Sequence, residues 1–228
     1  MITINNLTYR YHNDNVLQNL STNFDDDLIH GIVGLNGSGK TTLFNLIAGY
    51  LTADEGEILH NNAPIKKNDL AYIDTENFFY PKLTAQEFLS VFPKTNTNYN
   101  ETNLAEIFNL PLTEFIENYS TGMKKKLLIL SQLKQDKQIY IFDEPFNGLD
   151  IESNKALKLI IELLNHKQKT ILIASHIIEP LYDICNKIHH LKNKSIKKTY
   201  SKSEFNLIDD DVFGSLNDQI KQNLKNSI

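Results

Sequence analysis

The sequence predicts an α/β fold: a mostly parallel sheet, an antiparallel β-rich N-terminal part and an inserted α-helical region. Three observations carry that reading. A glycine-rich turn at residues 34–41 stands between an apolar strand-like run, residues 28–33, and an apolar helix-like run, residues 43–48. Two more short runs, Ile139-Tyr-Ile-Phe142 and Thr170-Ile-Leu-Ile-Ala174, are apolar almost throughout, as strands covered on both faces of a parallel sheet are. Residues 84–133, between these runs, read as mostly helical.

Taken in order, Ile2, Ile4 and Leu7, then Val16, Leu17, Leu20 and Phe24, recur in strand fashion, separated by the turn-formers Asn13-Asp14-Asn15 and closed by Asp25-Asp26-Asp27. Gly56-Glu-Ile-Leu-His60 reads as a strand that turns at Asn61-Asn62. Pro93 and an Asn/Thr-rich stretch at residues 95–103 interrupt the helical region, and that stretch is expected to be an exposed loop. Leu157, Ile160, Ile161 and Leu164 mark the buried face of a helix after the strand at Ile139. The whole is expected to form one domain. Residues 1–83 and 134–200 make its core and β-subdomain, 84–133 the helical subdomain, and 201–228 a polar tail without an assigned role.

Composition narrows the class. The 228 residues suffice for one sizeable core, and 41% hydrophobic with 22% charged residues is ordinary for a globular chain. A formal charge of −5 speaks against a general nucleic-acid binder, which needs a basic face for phosphates. Cys185 is the only cysteine, so no intramolecular disulfide forms, and a reducing compartment is the simpler expectation. The start, Met1-Ile2-Thr3-Ile4-Asn5, carries no secretory signal pattern, and no apolar run approaches the roughly 20 residues that cross a bilayer. Lys124-Lys125-Lys126 and the basic stretch at residues 192–198 are expected on solvated surfaces, the alternative for the first being contact with phosphates or anionic headgroups.

Gly34-Leu-Asn36-Gly37-Ser38-Gly39-Lys40-Thr41 fits G-x-x-x-x-G-K-[ST] at every specified position. Its glycines permit positive φ and let amide N–H groups close around phosphate oxygens, while the following helix aims its positive dipole end at the anion. In such a loop Lys40 reaches the β- and γ-phosphates and the Thr41 hydroxyl ligates Mg²⁺. Asp143-Glu144 at the carboxyl end of an apolar strand are costly unless they meet a cation. Asp143 is therefore the expected Mg²⁺ partner, and Glu144 the base that polarises a water against the γ-phosphorus.

Further residues carry a family resemblance. Tyr119-Ser120-Thr121-Gly122-Met123 resembles the L-S-G-G-Q signature of the nucleotide-binding subunits of ABC transporters, and Asn147-Gly-Leu-Asp150 resembles their D-loop. His176, in Ala-Ser-His, is similar to their switch histidine, and Tyr11 stands where an aromatic ring stacks on adenine. The likeness runs from near the N-terminus to about Lys194. It implies a P-loop NTPase (RecA-like) core that binds ATP and Mg²⁺ and hydrolyses ATP, with Glu144, His176 and Lys40 catalytic. ATP would meet Tyr11, Asn36, Gly37, Ser38, Gly39, Lys40, Thr41 and Thr42. In a homodimer or heterodimer of such subunits, Ser120, Gly122 and Asp150 would complete the partner's site. The family also implies a separate transmembrane permease, contacted by the segment from Asp74 to about Leu89, and a cytoplasmic location on the inner face of the cell membrane.

Two positions depart from the family pattern. Thr75 falls at or beside the usual Gln, with Glu76 as an alternative ligand, and Thr121 replaces the first signature glycine, where a β-branched side chain narrows backbone freedom. The form Tyr-Ser-x-Gly-Met-Lys-x-Lys-Leu resembles the branch that exports antibiotics, lantibiotics and other peptides. The competing readings are a soluble ABC protein acting on translation or DNA, and a regulator that binds ATP but barely turns it over.

Overall fold

In a computed structural model that describes residues 1–75 and 78–214, two sheets share the chain. The first strands, β1 (Ile2–Tyr11) and β2 (Asp14–Phe24), pair antiparallel, and β1 also pairs antiparallel with β4 (Glu55–His60). With the short β5 (Ala63–Pro64) they form a four-stranded sheet of order β2-β1-β4-β5. The second sheet has six strands. Its parallel members are β3 (Ile29–Val33), β6 (Leu70–Ile73), β7 (Ile139–Asp143), β8 (Thr170–Ser175) and β9 (Lys187–Lys192), closed by the antiparallel β10 (Ser195–Ser201) in the order β10-β9-β3-β8-β7-β6.

Every residue of β3, β7 and β8 is buried, and alternate side chains enter two different cores. Ile139 and Ile141 join Leu172, the β1–β2 residues Ile4, Leu7 and Leu20, and the helix α1 (Lys40–Ile47) on one face. Tyr140 and Phe142 face the other layer, made by α2 (Ala85–Ser90), α3 (Glu101–Ile107), α4 (Thr121–Leu133), α5 (Ile151–His166) and α6 (Glu179–Ile184). This double cover is why the strands read as unbroken apolar runs.

Local chemistry sets the helix starts. Thr84 and Glu87 form a capping box on α2, Ser120 accepts the Met123 amide at 3.2 Å on α4, and Asp150 accepts the Ser153 amide at 2.8 Å on α5. Part of the Asn/Thr-rich stretch is not the exposed loop expected of it. Asn100 caps α3 through the Asn103 amide, Tyr99 is buried, and the Thr95 and Asn96 amides bond to the Lys134 carbonyl. Asn is a poor interior helix residue but a good cap, so its abundance hides a helix start.

The described part of the tail is also built in. Residues 202–214 continue as a 3-10 turn and a helical segment whose Phe205, Ile208 and Val212 enter the core. The basic stretch near Lys192 proves to be the turn of the β9–β10 hairpin, with Asn193 and Lys194 in the left-handed region. A buried histidine pair ties this hairpin to β3. His30 Nε2 bonds the Asp25 carbonyl at 2.9 Å, His30 Nδ1 meets His189 Nε2 at 3.1 Å, and His189 Nδ1 meets the Thr199 hydroxyl at 3.0 Å.

Candidate functional site

The parallel strands β3, β8, β7 and β6 end on one edge of the sheet, where ligands bind in open α/β folds. From β3 the chain enters the loop at residues 34–39 and then α1. Gly39 caps α1 with φ 104°, and Gly37 has φ 77°, so the loop uses the backbone freedom that the sequence pattern implies. A Cβ at Gly39 would also press on Leu17 at 3.0 Å and Val16 at 3.3 Å. The Lys40 ammonium is buried and donates to the Gly34 carbonyl at 2.8 Å and the Leu35 carbonyl at 3.4 Å. Burial lowers its pKa, and the Glu144 and Asp143 carboxylates push it back up.

At the end of β7, Asp143 is fully buried, and neither carboxylate oxygen has a hydrogen-bond partner. Desolvation raises its pKa to about 6; the nearby Thr41 hydroxyl and Lys40 pull it down, while Glu144 and Asp74 add to the rise. An orphaned buried carboxylate beside a threonine hydroxyl is a hard-oxygen donor set of the kind a hard divalent cation satisfies. These residues fit Mg²⁺.

Glu144 leaves the strand in the left-handed region, φ 48°, its amide bonded to the Ala174 carbonyl at 2.9 Å. Its carboxylate lies 2.9 Å from His176 Nδ1 and 4.0 Å from Lys40 Nζ, and accepts from Asn147 Nδ2 at 3.3 Å. His176 sits just past β8. Asn36, Gly37, Gly39, Lys40, Thr41, Thr42, Glu144, Asn147 and His176 thus line one cleft of about 420 Å³.

Other candidate residues lie outside that cleft. Ser38 turns its hydroxyl into a buried position without a partner. Tyr11, at the end of β1, is half exposed and meets Tyr9 edge-to-face at 5.0 Å. Ser120 caps α4, and Thr121, exposed, is its first residue. Asp150 caps α5, and the Lys126 ammonium, with the Ser153 amide, holds its carboxyl well below the usual carboxylate range. Thr75 donates its amide and hydroxyl to Asp74, at 2.6 and 3.3 Å, and Glu76 lies outside the described residues. Asn147 in the cleft and the burial of Lys125 and Lys126 have no counterpart in the sequence reading. Spacing marks a lysine run as helix surface, whereas here the inward ammonium groups find carbonyls and a carboxylate.

The model of the ABC transporter family matches residues 17–147, more than half of the chain. The chain belongs to the ABC transporter family. It is an ATP-binding, ATP-hydrolysing subunit of that family, with the P-loop NTPase fold. The ABC transporter ATP-binding protein YtrB of Bacillus subtilis is 29% identical over 90% of this chain and 73% of its own length. The lantibiotic transport ATP-binding protein SrtF of Streptococcus pyogenes is 28% identical over 90% of this chain and 93% of its own. Among solved structures, a dimeric ATP-binding cassette in a post-hydrolysis state bound to ADP and Pi shares the fold. It has a TM-score of 0.76 and 20% identity, over 89% of this chain and 99% of that one. For an ABC ATPase of this type, the described residues include no helix long and apolar enough to cross a membrane.

Proposed function

We propose that this ABC ATPase powers a separately encoded membrane permease that exports a peptide, antibiotic or drug, and that it works as a pair of ATPase subunits. One observation carries the reading. The Glu144 carboxylate stands over the phosphate loop in contact with His176 and near Lys40, while Ser120, Gly122 and Asp150 do not line that cleft. The site so built is half of one, and a second subunit presenting its own Ser120 and Gly122 would complete it. The dimeric cassette with the same fold supports the pairing.

The chemistry assigned to these residues is in-line hydrolysis. The Gly37–Gly39 amides, Lys40 and His176 bind and orient the triphosphate. Glu144 accepts a proton from a water whose oxygen forms a bond to the γ-phosphorus. The bond to the bridging oxygen breaks and ADP leaves with that electron pair. Asp143 and Thr41 would hold Mg²⁺, which neutralises phosphate charge when bound. Tyr11 is assigned to the adenine face.

Export is supported by the lantibiotic relative and by the form of the residues from Tyr119 to Leu127. For the permease contact, Phe78, Phe79, Tyr80 and Pro81 line a groove of about 310 Å³ with Ile116, Glu117 and Lys124, and Phe78 is 79% exposed. Such a patch suits a partner's apolar side chains and a peripheral position at the inner membrane face. A slow nucleotide-dependent regulator is the second reading, favoured by Thr75, whose hydroxyl is committed to Asp74. Steady-state ATPase assays and size-exclusion chromatography separate the two. Glu144→Gln is expected to abolish turnover and to trap an ATP-bound dimer. If wild type and Glu144→Gln share one slow rate and neither dimerises with ATP, the transport-motor reading fails.

A further inference from the structure

The first turns of α4 lie along the turn that follows β7. At residue 122 a Cβ would come within 2.5 Å of the Gly148 carbonyl oxygen, so only glycine lets the two backbones approach this closely. One turn further along α4, the buried Lys125 ammonium donates to the Glu144 carbonyl at 2.7 Å and to the Asn147 carbonyl at 2.9 Å. Next to it, Lys126 donates to Asp150 at 2.8 Å. The two lysines and one glycine form a seam between the start of α4 and residues 144–150.

Glu144 is the residue this seam acts on. A non-glycine residue at φ 48° is strained and persists only where its surroundings hold it. The Asn147 amide reaches the Glu144 carbonyl at a long 3.3 Å, and the Asn147 carbonyl takes a bond from Lys125. A charged donor between two carbonyls is the stronger tie. The direction of the Glu144 backbone sets where its carboxylate meets His176.

We propose that Lys125 is a positioning residue: it holds the Glu144 turn in its productive conformation and links the catalytic turn of one site to the helix that begins at Ser120. This rests on the function proposed above.

Lys125→Met keeps the aliphatic stem and removes the donors, and Lys125→Arg restores them. The expected result for Lys125→Met is a kcat lower by about 10–100-fold with KM for ATP within about twofold, because orientation rather than binding is lost. Arginine should recover most of kcat. Unchanged kcat, or a loss that arginine does not rescue, overturns the proposal. A crystal structure of nucleotide-free Lys125→Met gives a readout independent of turnover. The Glu144–His176 contact of 2.9 Å should open beyond hydrogen-bond reach; if it stays closed, Lys125 only packs. Should the wild-type chain prove to hydrolyse no ATP, the function proposed above falls, and this structural comparison still decides the role of Lys125.

Discussion

His176 Nδ1 lies 2.9 Å from Glu144 Oε2, so the two groups assigned to phosphate and water touch each other directly. Lys40, 4.0 Å from the other carboxylate oxygen, makes this a shared arrangement. An incoming γ-phosphate competes for Lys40 and His176 and leaves the Glu144 carboxylate to a water. His176→Ala should therefore lower kcat by about 100-fold or more, with a smaller effect on ATP affinity. Phosphate-release kinetics with nucleotide-binding titrations check this, and an unaltered kcat would remove His176 from the machinery.

The buried Asp143 carboxylate is costly to the fold when ionised. Its folded pKa of about 6 lies above an unfolded value near 3.9, so the folded state holds the proton more tightly. The stability it contributes therefore falls as pH rises from about 4 to 6, and the loss persists above that window. A shift of this size corresponds to about 3 kcal/mol, reduced in Asp143→Asn by the amide's own unmet hydrogen bonds. Nucleotide-free Asp143→Asn should melt higher than wild type at pH 7.5, by about 2–4 °C per kcal/mol recovered, and the gap should shrink toward pH 5. It should also lose ATPase activity. Thermal melts at the two pH values test the sign.

Gly39→Ala places a Cβ on a residue at φ 104°, against Leu17 and Val16. The strain should cost about 1–2 kcal/mol of stability. Moving the loop amides should weaken ATP binding by about 10-fold or more. Isothermal titration with denaturant unfolding measures both, and wild-type affinity would show that the loop tolerates another backbone conformation.

The His30–His189 pair predicts an acid-sensitive seam. Burial depresses both pKa values, that of His189 to about 3; Lys187 adds to both shifts and the His30 ring to that of His189, while Asp25 opposes both. A histidine with a depressed folded pKa contributes stability above its unfolded value near 6.5 and loses it as pH falls below that. Stability should decline from pH 7 to pH 5 in wild type. In the double variant His30→Gln, His189→Gln the decline should be shallower, from a lower starting point. Urea unfolding across that range reads the slope; an equal slope would assign the acid sensitivity to other groups.

Much of this molecule could be read from local chemistry. The phosphate loop was legible because its glycines, lysine and threonine each answer a backbone or ligand requirement confined to a few consecutive residues. The strands at Ile29, Ile139 and Thr170 were legible because double burial demands unbroken apolar runs, and Asp150 as a helix cap because capping is local. The start of α3 was hidden, since asparagine signals loops and caps alike.

By itself, then, the sequence determined the strand–loop–helix unit, the acidic pair after β7 and the ordered motifs that match the ABC family. Only the tertiary structure decided that Glu144 meets His176 from a neighbouring strand, that Asn147 joins the cleft, and that Lys125 is turned inward rather than to solvent. The reason is physical. A motif specifies contacts within about one turn of chain, whereas these partners meet because β8 lies beside β7 and α4 lies across the turn that follows it.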